Sequence, residues 1–160
     1  MQAPHETWQG SVVSIHVAPQ AGAPMVVVPE AHAVPGRGLD GDRYASGRGH
    51  YSPKPSSGGR EMTLIETEAV EALDELGVKL TAAETRRNVA TRGVPLNHLV
   101  GRVFRVGAVR LRGTRLCEPC KYLDGLTRDG VMAALVHRGG LRAQVLDEGI
   151  IRVGDVVRPE

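Results

Sequence analysis

Turn-forming residues leave this chain little room for long regular elements. Its 160 residues include 20 Gly and 10 Pro, dispersed along most of the length. Between them lie short runs rich in Val and Leu, residues that favour a pleated, half-buried strand. A hydrophobic fraction of 41% is enough to bury a sizeable core without disulfides or structural metals. The length fits one domain covering residues 1–160.

Gly10–Val17 reads as a strand, and Pro24–Val34 as a second, limited to an edge or bulge by Pro29. Gly36–Arg43 is a Gly- and Asp-dense turn, and residues 45–60 form a long loop without periodicity. Residues Thr63–Leu76 read as a helix: Thr63 and Glu66 match a capping box, Ile65, Ala69, Ala72, Leu73 and Leu76 recur at helical spacing, and Gly77 follows as a C-terminal stop. Thr81 and Glu84 repeat the capping pattern before a shorter turn of helix. Val103–Val106 and Val109–Arg112 alternate across Gly107-Ala108, placing Val109 and Leu111 inward and Arg110 and Arg112 outward. Asp129–Val136 reads as another helix, ended by Gly139-Gly140. Leu141–Leu146 and Ile150–Val157 close the chain as strands around an Asp147-Glu148-Gly149 turn. No alternating βαβ rhythm appears, so the expected fold is mainly β and barrel-like, of mixed or antiparallel strands, with two or three inserted helices.

Composition excludes several roles. Aromatics are 3% of the chain, too few for a platform that stacks single-stranded nucleic acid. The net charge of +2 is spread among interleaved acids and bases, apart from Gly101–Arg112, where four Arg occur with no acid. A local basic wall suits a phosphorylated small molecule better than a duplex. No signal-like segment and no spanning-length apolar run are found, so a cytoplasmic protein without membrane or nucleic-acid partners is expected.

Cys117-Glu118-Pro119-Cys120 is the most chemical segment and admits four readings. A structural zinc site would need His98 or His137 to complete it. A thioredoxin-like pair would need a βαβ context. Both cysteines could be small buried apolar residues. Or Cys120 could be a reactive or metal-binding thiolate, favoured by the adjacent Lys121. In Arg86-Arg87-Asn88 the guanidinium fork suits phosphate or carboxylate, and the amide suits a heterocycle edge. The plainer alternative is surface Arg with a turn Asn. Likewise Gly38–Arg43 reads best as a structural turn with Arg43 pairing an Asp, and His137-Arg138 as a helix end.

Taken in order, Gly38-Leu39-Asp40-Gly41-Asp42-Arg43, Arg86-Arg87-Asn88-Val89, Leu99–Phe104, Cys117-Glu118-Pro119-Cys120, Arg138–Val145 and Gly149–Asp155 resemble the MOSC domain family, found also at the C-terminus of molybdenum cofactor sulfurases and in amidoxime-reducing components. The resemblance implies a β-barrel-like fold and binding of the molybdenum cofactor, an anionic pterin. Cys120 matches the family's reactive cysteine, a molybdenum ligand in reductase relatives and a proposed sulfur carrier in sulfurase relatives. Arg86 and Asn88 match an element lying near the cofactor, and Lys121, Arg102 and Arg115 are candidates for its phosphate. The activity so implied is reduction of N-hydroxylated or N-oxide substrates. The alternatives are a Cys120 persulfide carrier and a non-catalytic module that binds or delivers the cofactor. No pyridoxal phosphate or iron–sulfur site is expected, and electrons or sulfur would come from a separate donor protein.

Overall fold

The computed structural model describes residues 7–52, 60–119, 121–127 and 130–160, with the backbone alone at Lys121, Tyr122 and Asp124. Part of the long loop, Cys120 and Asp129 fall outside the described residues. Among those described are strands β1 (Gly10–Val17), β2 (Val26–Val28), β3 (Glu30–Val34), β4 (Gly38–Leu39), β5 (Met62–Glu66), β6 (Val89–Arg92), β7 (Val103–Val106), β8 (Val109–Leu116), β9 (Leu141–Val145), β10 (Gly149–Arg152) and β11 (Val156–Pro159). The α-helices are α1 (Thr67–Glu75), α2 (Lys121–Leu126) and α3 (Val131–Ala134).

Strands β1, β6, β5, β9, β8, β7 and β11 pair in that order, and β11 returns to β1, so seven strands close a barrel. β2 adds to the outer edge of β1, and β10, β3 and β4 form a separate three-stranded sheet. Every pairing in the ring is antiparallel except β5 with β6, which are parallel and joined through α1. Among the described residues, β5, α1 and β6 thus form one βαβ unit within a ring that is otherwise antiparallel. The mainly β, barrel-like architecture expected of the sequence is the one found.

Alternation builds the barrel. In β9, Leu141, Ala143 and Val145 are buried, while Arg142 and Gln144 between them stay partly exposed. The β7–β8 hairpin does the same with Phe104, Val106, Val109 and Leu111, all fully buried, and Arg112 exposed. A 3-10 turn at Leu96–Leu99 adds Leu96 and Leu99 to this core. Gly113 allows it to approach, because a Cβ there would lie 2.1 Å from the Leu99 carbonyl oxygen. Burying each such Leu contributes about 1.5–3 kcal/mol. A second apolar cluster lies on the outside of the barrel, where Ile65 and Ala90 pack against Val70 and Leu73 of α1, Leu123 of α2, and Val131 and Leu135.

Four expectations need correction. Thr63–Leu76 is not one helix: Met62–Glu66 is a strand, and α1 begins at Thr67 with no side-chain cap on its first turn. Met62 and Leu64 point into the core at period two, while Ile65 belongs to the outer cluster with α1, so one residue served both periodicities. Pro24–Val34 is two strands, split at Pro29 into different sheets, since Pro cannot donate to a ladder. The closing strands do not form a hairpin: β9 pairs with β8 and β5, whereas β10 joins β3 and only β11 returns to the barrel. Where a longer helix was read over Asp129–Val136, the described residues hold the short α3, preceded by the unforeseen α2.

Other local readings hold. Gly77 (φ 78°) stops α1, donating to Asp74 O while Val78 N donates to Leu73 O, and Val78 packs onto the cluster containing Leu73. Thr81 and Glu84 form a reciprocal capping box: Thr81 N donates to Glu84 Oε1 (3.0 Å) and Glu84 N to Thr81 Oγ1 (3.2 Å).

Candidate functional site

Guanidinium groups converge outside the barrel wall. A cleft of about 530 Å³, open to solvent, lies between Thr63 and Arg142 on the outer face of β5 and β9, the Arg86-Arg87 segment entering β6, the Tyr44–Tyr51 loop, and Cys117, Glu118 and Leu123. Arg43 completes a set of four arginines lining it, against one lining carboxylate, Glu118. Such a surplus of fixed positive charge in a concave site favours an anionic ligand.

The four arginines are held differently. Arg43 is buried; its NH1 lies 3.0 Å from Asp42 Oδ1, NH2 donates to Arg86 O, and Cζ stands 4.9 Å over the Tyr44 ring. Arg87 is a clamp: Nε donates to Gly139 O (2.7 Å), NH2 to Cys117 O (2.9 Å) and NH1 to Thr85 O (3.4 Å). Arg86 occupies the left-handed region (φ 64°), a conformation costing a non-glycine residue roughly 1 kcal/mol or more, and its NH1 donates to Ala23 O (2.7 Å). Arg142 reaches toward Tyr51, with Cζ 5.9 Å from the ring centroid.

Behind the arginines lies a buried polar knot. Asn88 Oδ1 accepts from Thr63 N (3.0 Å) and Thr63 Oγ1 (3.2 Å), and its Nδ2 donates to His16 O (3.1 Å). At the start of the parallel β5–β6 pair the amide oxygen thus takes the place of a ladder carbonyl. His16 Nδ1 lies 2.8 Å from Arg87 O, which accepts, so Nδ1 carries the proton and Nε2 accepts from Ser14 Oγ (2.8 Å). Burial lowers the His16 pKa below 6.5, and the bond to Arg87 O only partly opposes this.

The Cys117 loop is seated by backbone contacts. Cys117 is buried and its thiol is free; its N–H donates to Gly140 O (2.7 Å). A Cβ on Gly139 would come within 2.3 Å of Cys117 O, and one on Gly140 within 2.0 Å of Leu64 O. Glu118, exposed, receives the His137 N–H (3.2 Å) and lies 3.7 Å from His137 Nδ1. The Gly pair, read from sequence as a helix stop, is what lets this loop press onto the barrel.

The sequence profile of the MOSC domain matches residues 46–158. The chain belongs to the MOSC domain family. This family is associated with molybdenum cofactor binding. Among solved structures, the MOSC chain is similar to the YuaD protein from Bacillus subtilis (16% identity, TM-score 0.76, covering 94% of this chain and 97% of that one). It is also similar to YiiM from Geobacillus stearothermophilus (16% identity, TM-score 0.73, 94% and 75%) and YiiM from Escherichia coli (16% identity, TM-score 0.62, 94% and 69%). At these identities the likeness is one of fold. No curated protein matches the sequence.

Set on this MOSC fold, the residues singled out in the sequence divide. Arg86 lines the cleft. Asn88 does not; its amide is spent on Thr63 and His16 behind the wall, so the hydrogen-bonding versatility noted for it serves the backbone. Arg115 is exposed on β8 as the cross-strand neighbour of the cleft residue Arg142, hence on the same face. Arg102 is exposed in the turn before β7, outside the lining. Cys120 lies outside the described residues, and of Lys121 only the backbone, at the start of α2, is described. His98 and His137 are exposed, and no group of three His, Cys, Asp or Glu is arranged for a metal among the described residues. Arg87, Arg142 and Tyr51 were given no role of their own. Arg142 was findable, because the Leu141–Val145 alternation puts it on the outer face.

The donor set fits an anionic pterin. Guanidinia match phosphate and ring-edge acceptors, and those of Arg86 and Arg142 come from separate segments of the wall.

Proposed function

We propose that this MOSC protein binds the molybdenum cofactor in the arginine-lined cleft and reduces N-hydroxylated or N-oxide substrates. The observation that carries the reading is the convergence of Arg43, Arg86, Arg87 and Arg142 on a cleft also walled by Cys117 and Glu118 before Cys120, and by Leu123 after it. When bound, the cofactor supplies two-electron redox chemistry at a soft metal centre, for which the Cys120 thiolate is the matching ligand.

The chain's own contribution is binding and positioning. Arg142 and Arg86, from separate segments, offer guanidinium groups to the cofactor's anionic groups, and Arg115, on the same face as Arg142, adds charge beside it; Lys121 is the further basic candidate from the sequence. Arg87, consumed by three carbonyls, fixes the loop leading to Cys120 rather than gripping ligand. In the overall reaction the N–O bond breaks, two electrons and two protons enter, the amine remains and the oxygen leaves as water. The electrons come from a separate donor protein.

The test is metal, pterin and sulfur analysis of protein made in a host that synthesises the cofactor. Near-stoichiometric molybdenum with pterin is expected in the wild type, with the metal lost or re-coordinated in Cys120→Ser and occupancy reduced in Arg142→Ala. Protein without molybdenum, carrying cyanide-releasable sulfur that disappears in Cys120→Ser, would replace this reading with a persulfide carrier.

A further inference from the structure

A second cleft, of about 630 Å³, opens beside the first. Pro24, Met25, Ala83 and Leu126 give it largely apolar walls, and Arg86 belongs to both clefts. Glu84, also on its wall, turns Oε1 toward the N–H and hydroxyl of Thr81.

Three contacts make the clefts neighbours through a shared partition. Arg86 NH1 donates to Ala23 O, within the Gly22–Met25 segment that walls the second cleft. Arg43 of the first cleft reaches Met25 of the second, with NH1 3.5 Å from Sδ. Helix α2 gives Leu123 to the first and Leu126 to the second, a spacing that puts both on one helix face. The two compartments differ in chemistry, although Arg86, Glu84 and Thr127 give the second a polar side as well. One is ringed by guanidinia; the other offers a thioether, a proline ring and a leucine that is 37% exposed. Such walls bind a compact apolar group by dispersion and surface burial, and a flexible Met adapts to its outline.

We propose that the two clefts form one bipartite site, in which the second takes the apolar body of an N-hydroxylated organic substrate and Arg86, between the compartments, receives its polar N–O end. This rests on the cofactor occupying the first cleft. The residues on either side of the partition therefore choose among substrates: a molecule with a ring or short alkyl body gains contacts that a bare hydroxylamine lacks.

Leu126→Trp fills the second cleft from a surface position away from the arginines, and Met25→Trp fills it from the partition, where the Met25 thioether meets Arg43. Molybdenum-loaded wild type and variants are assayed with reduced methyl viologen as electron source, using N-phenylhydroxylamine, which carries a ring, and hydroxylamine, which does not. The expected result is a KM for N-phenylhydroxylamine raised tenfold or more, the scale on which an apolar pocket discriminates, with hydroxylamine turnover and molybdenum content within about twofold of wild type. Equal loss on both substrates, or no change on either, overturns the proposal. If the wild type carries no molybdenum, the cofactor reading fails on its own. The compartment is then judged by calorimetric titration of the full chain with N-phenylhydroxylamine. Binding weakened tenfold by Met25→Trp sustains it, and absence of binding ends it.

Discussion

The two faces of the barrel wall at β5, β6 and β9 are built on opposite terms. Inward, Leu64, Val89 and Leu141 belong to the apolar core and are fully buried. Outward, a short distance along the same strands, Thr63, Asn88 and Arg142 lie in or beside a network of guanidinia, amides and carbonyls. The inner face tolerates any close-packed apolar filling. The outer one depends on which atom faces which, because a buried donor or carbonyl left unmatched costs about 1–3 kcal/mol. The wall thus separates what holds the chain folded from what shapes the cleft, and substitutions on either side should separate in the same way.

The largest effect is expected inside. Leu64→Ala should cost about 2–5 kcal/mol in denaturant unfolding, with the protein that remains folded still loading cofactor. Arg87→Met crosses the divide: three carbonyls lose their donor, so a loss of roughly 2–4 kcal/mol should appear together with reduced molybdenum occupancy. Occupancy unchanged at that cost would show that the Cys117 loop does not need its clamp. At Arg86, the glycine variant should be about 1 kcal/mol more stable than the alanine variant, because only glycine adopts φ 64° freely, while both lose the guanidinium from the clefts. Equal stabilities would place the strain elsewhere.

The smallest expected effect is a pH dependence. His16 is held neutral, with its pKa below the ordinary 6.5. The unfolded chain therefore takes up this proton first on acidification. Its contribution to stability is complete above pH 6.5 and is lost as pH falls through the lower native value. His16→Gln should flatten that part of the stability–pH profile, measured by urea titration at successive pH values.

The same division explains what could be read in advance. The β7–β8 hairpin was legible because one face is buried and period two is unbroken around its turn, and β1 because its β-branched residues mark a strand even though its burial pattern is interrupted at Val12/Ser14. Thr63-x-x-Glu66 and Thr81-x-x-Glu84 carry the same local pattern, yet only the second is a capping box. At Thr63 the long-range pairing with Asn88 and β9 outweighs local preference, and no window of sequence contains those partners. In the candidate site, Arg86 was visible as a cation beside an amide. Arg87 could not be told from it, because its role is fixed by Gly139 and Cys117, far away in the chain. The family resemblance reached the barrel and the cofactor association, while the division of labour among the arginines needed coordinates.

The pairing that closes the barrel sets an order on its formation. β1 meets β11 through only Gly10↔Val157 and Ser11↔Val156, partners separated by almost the whole length of the chain. A ribosome making this chain releases β1 long before β11. Until then β1 has β6 along one edge, while the other edge carries β2 at Ile15–Val17 and no β11 at Gly10 and Ser11, and a nascent ring can be no more than an open, curled sheet. Closure is a late, non-local event of the kind that slows folding, and its short seam leaves β1 and β7 as the exposed edges most open to mispairing while synthesis continues.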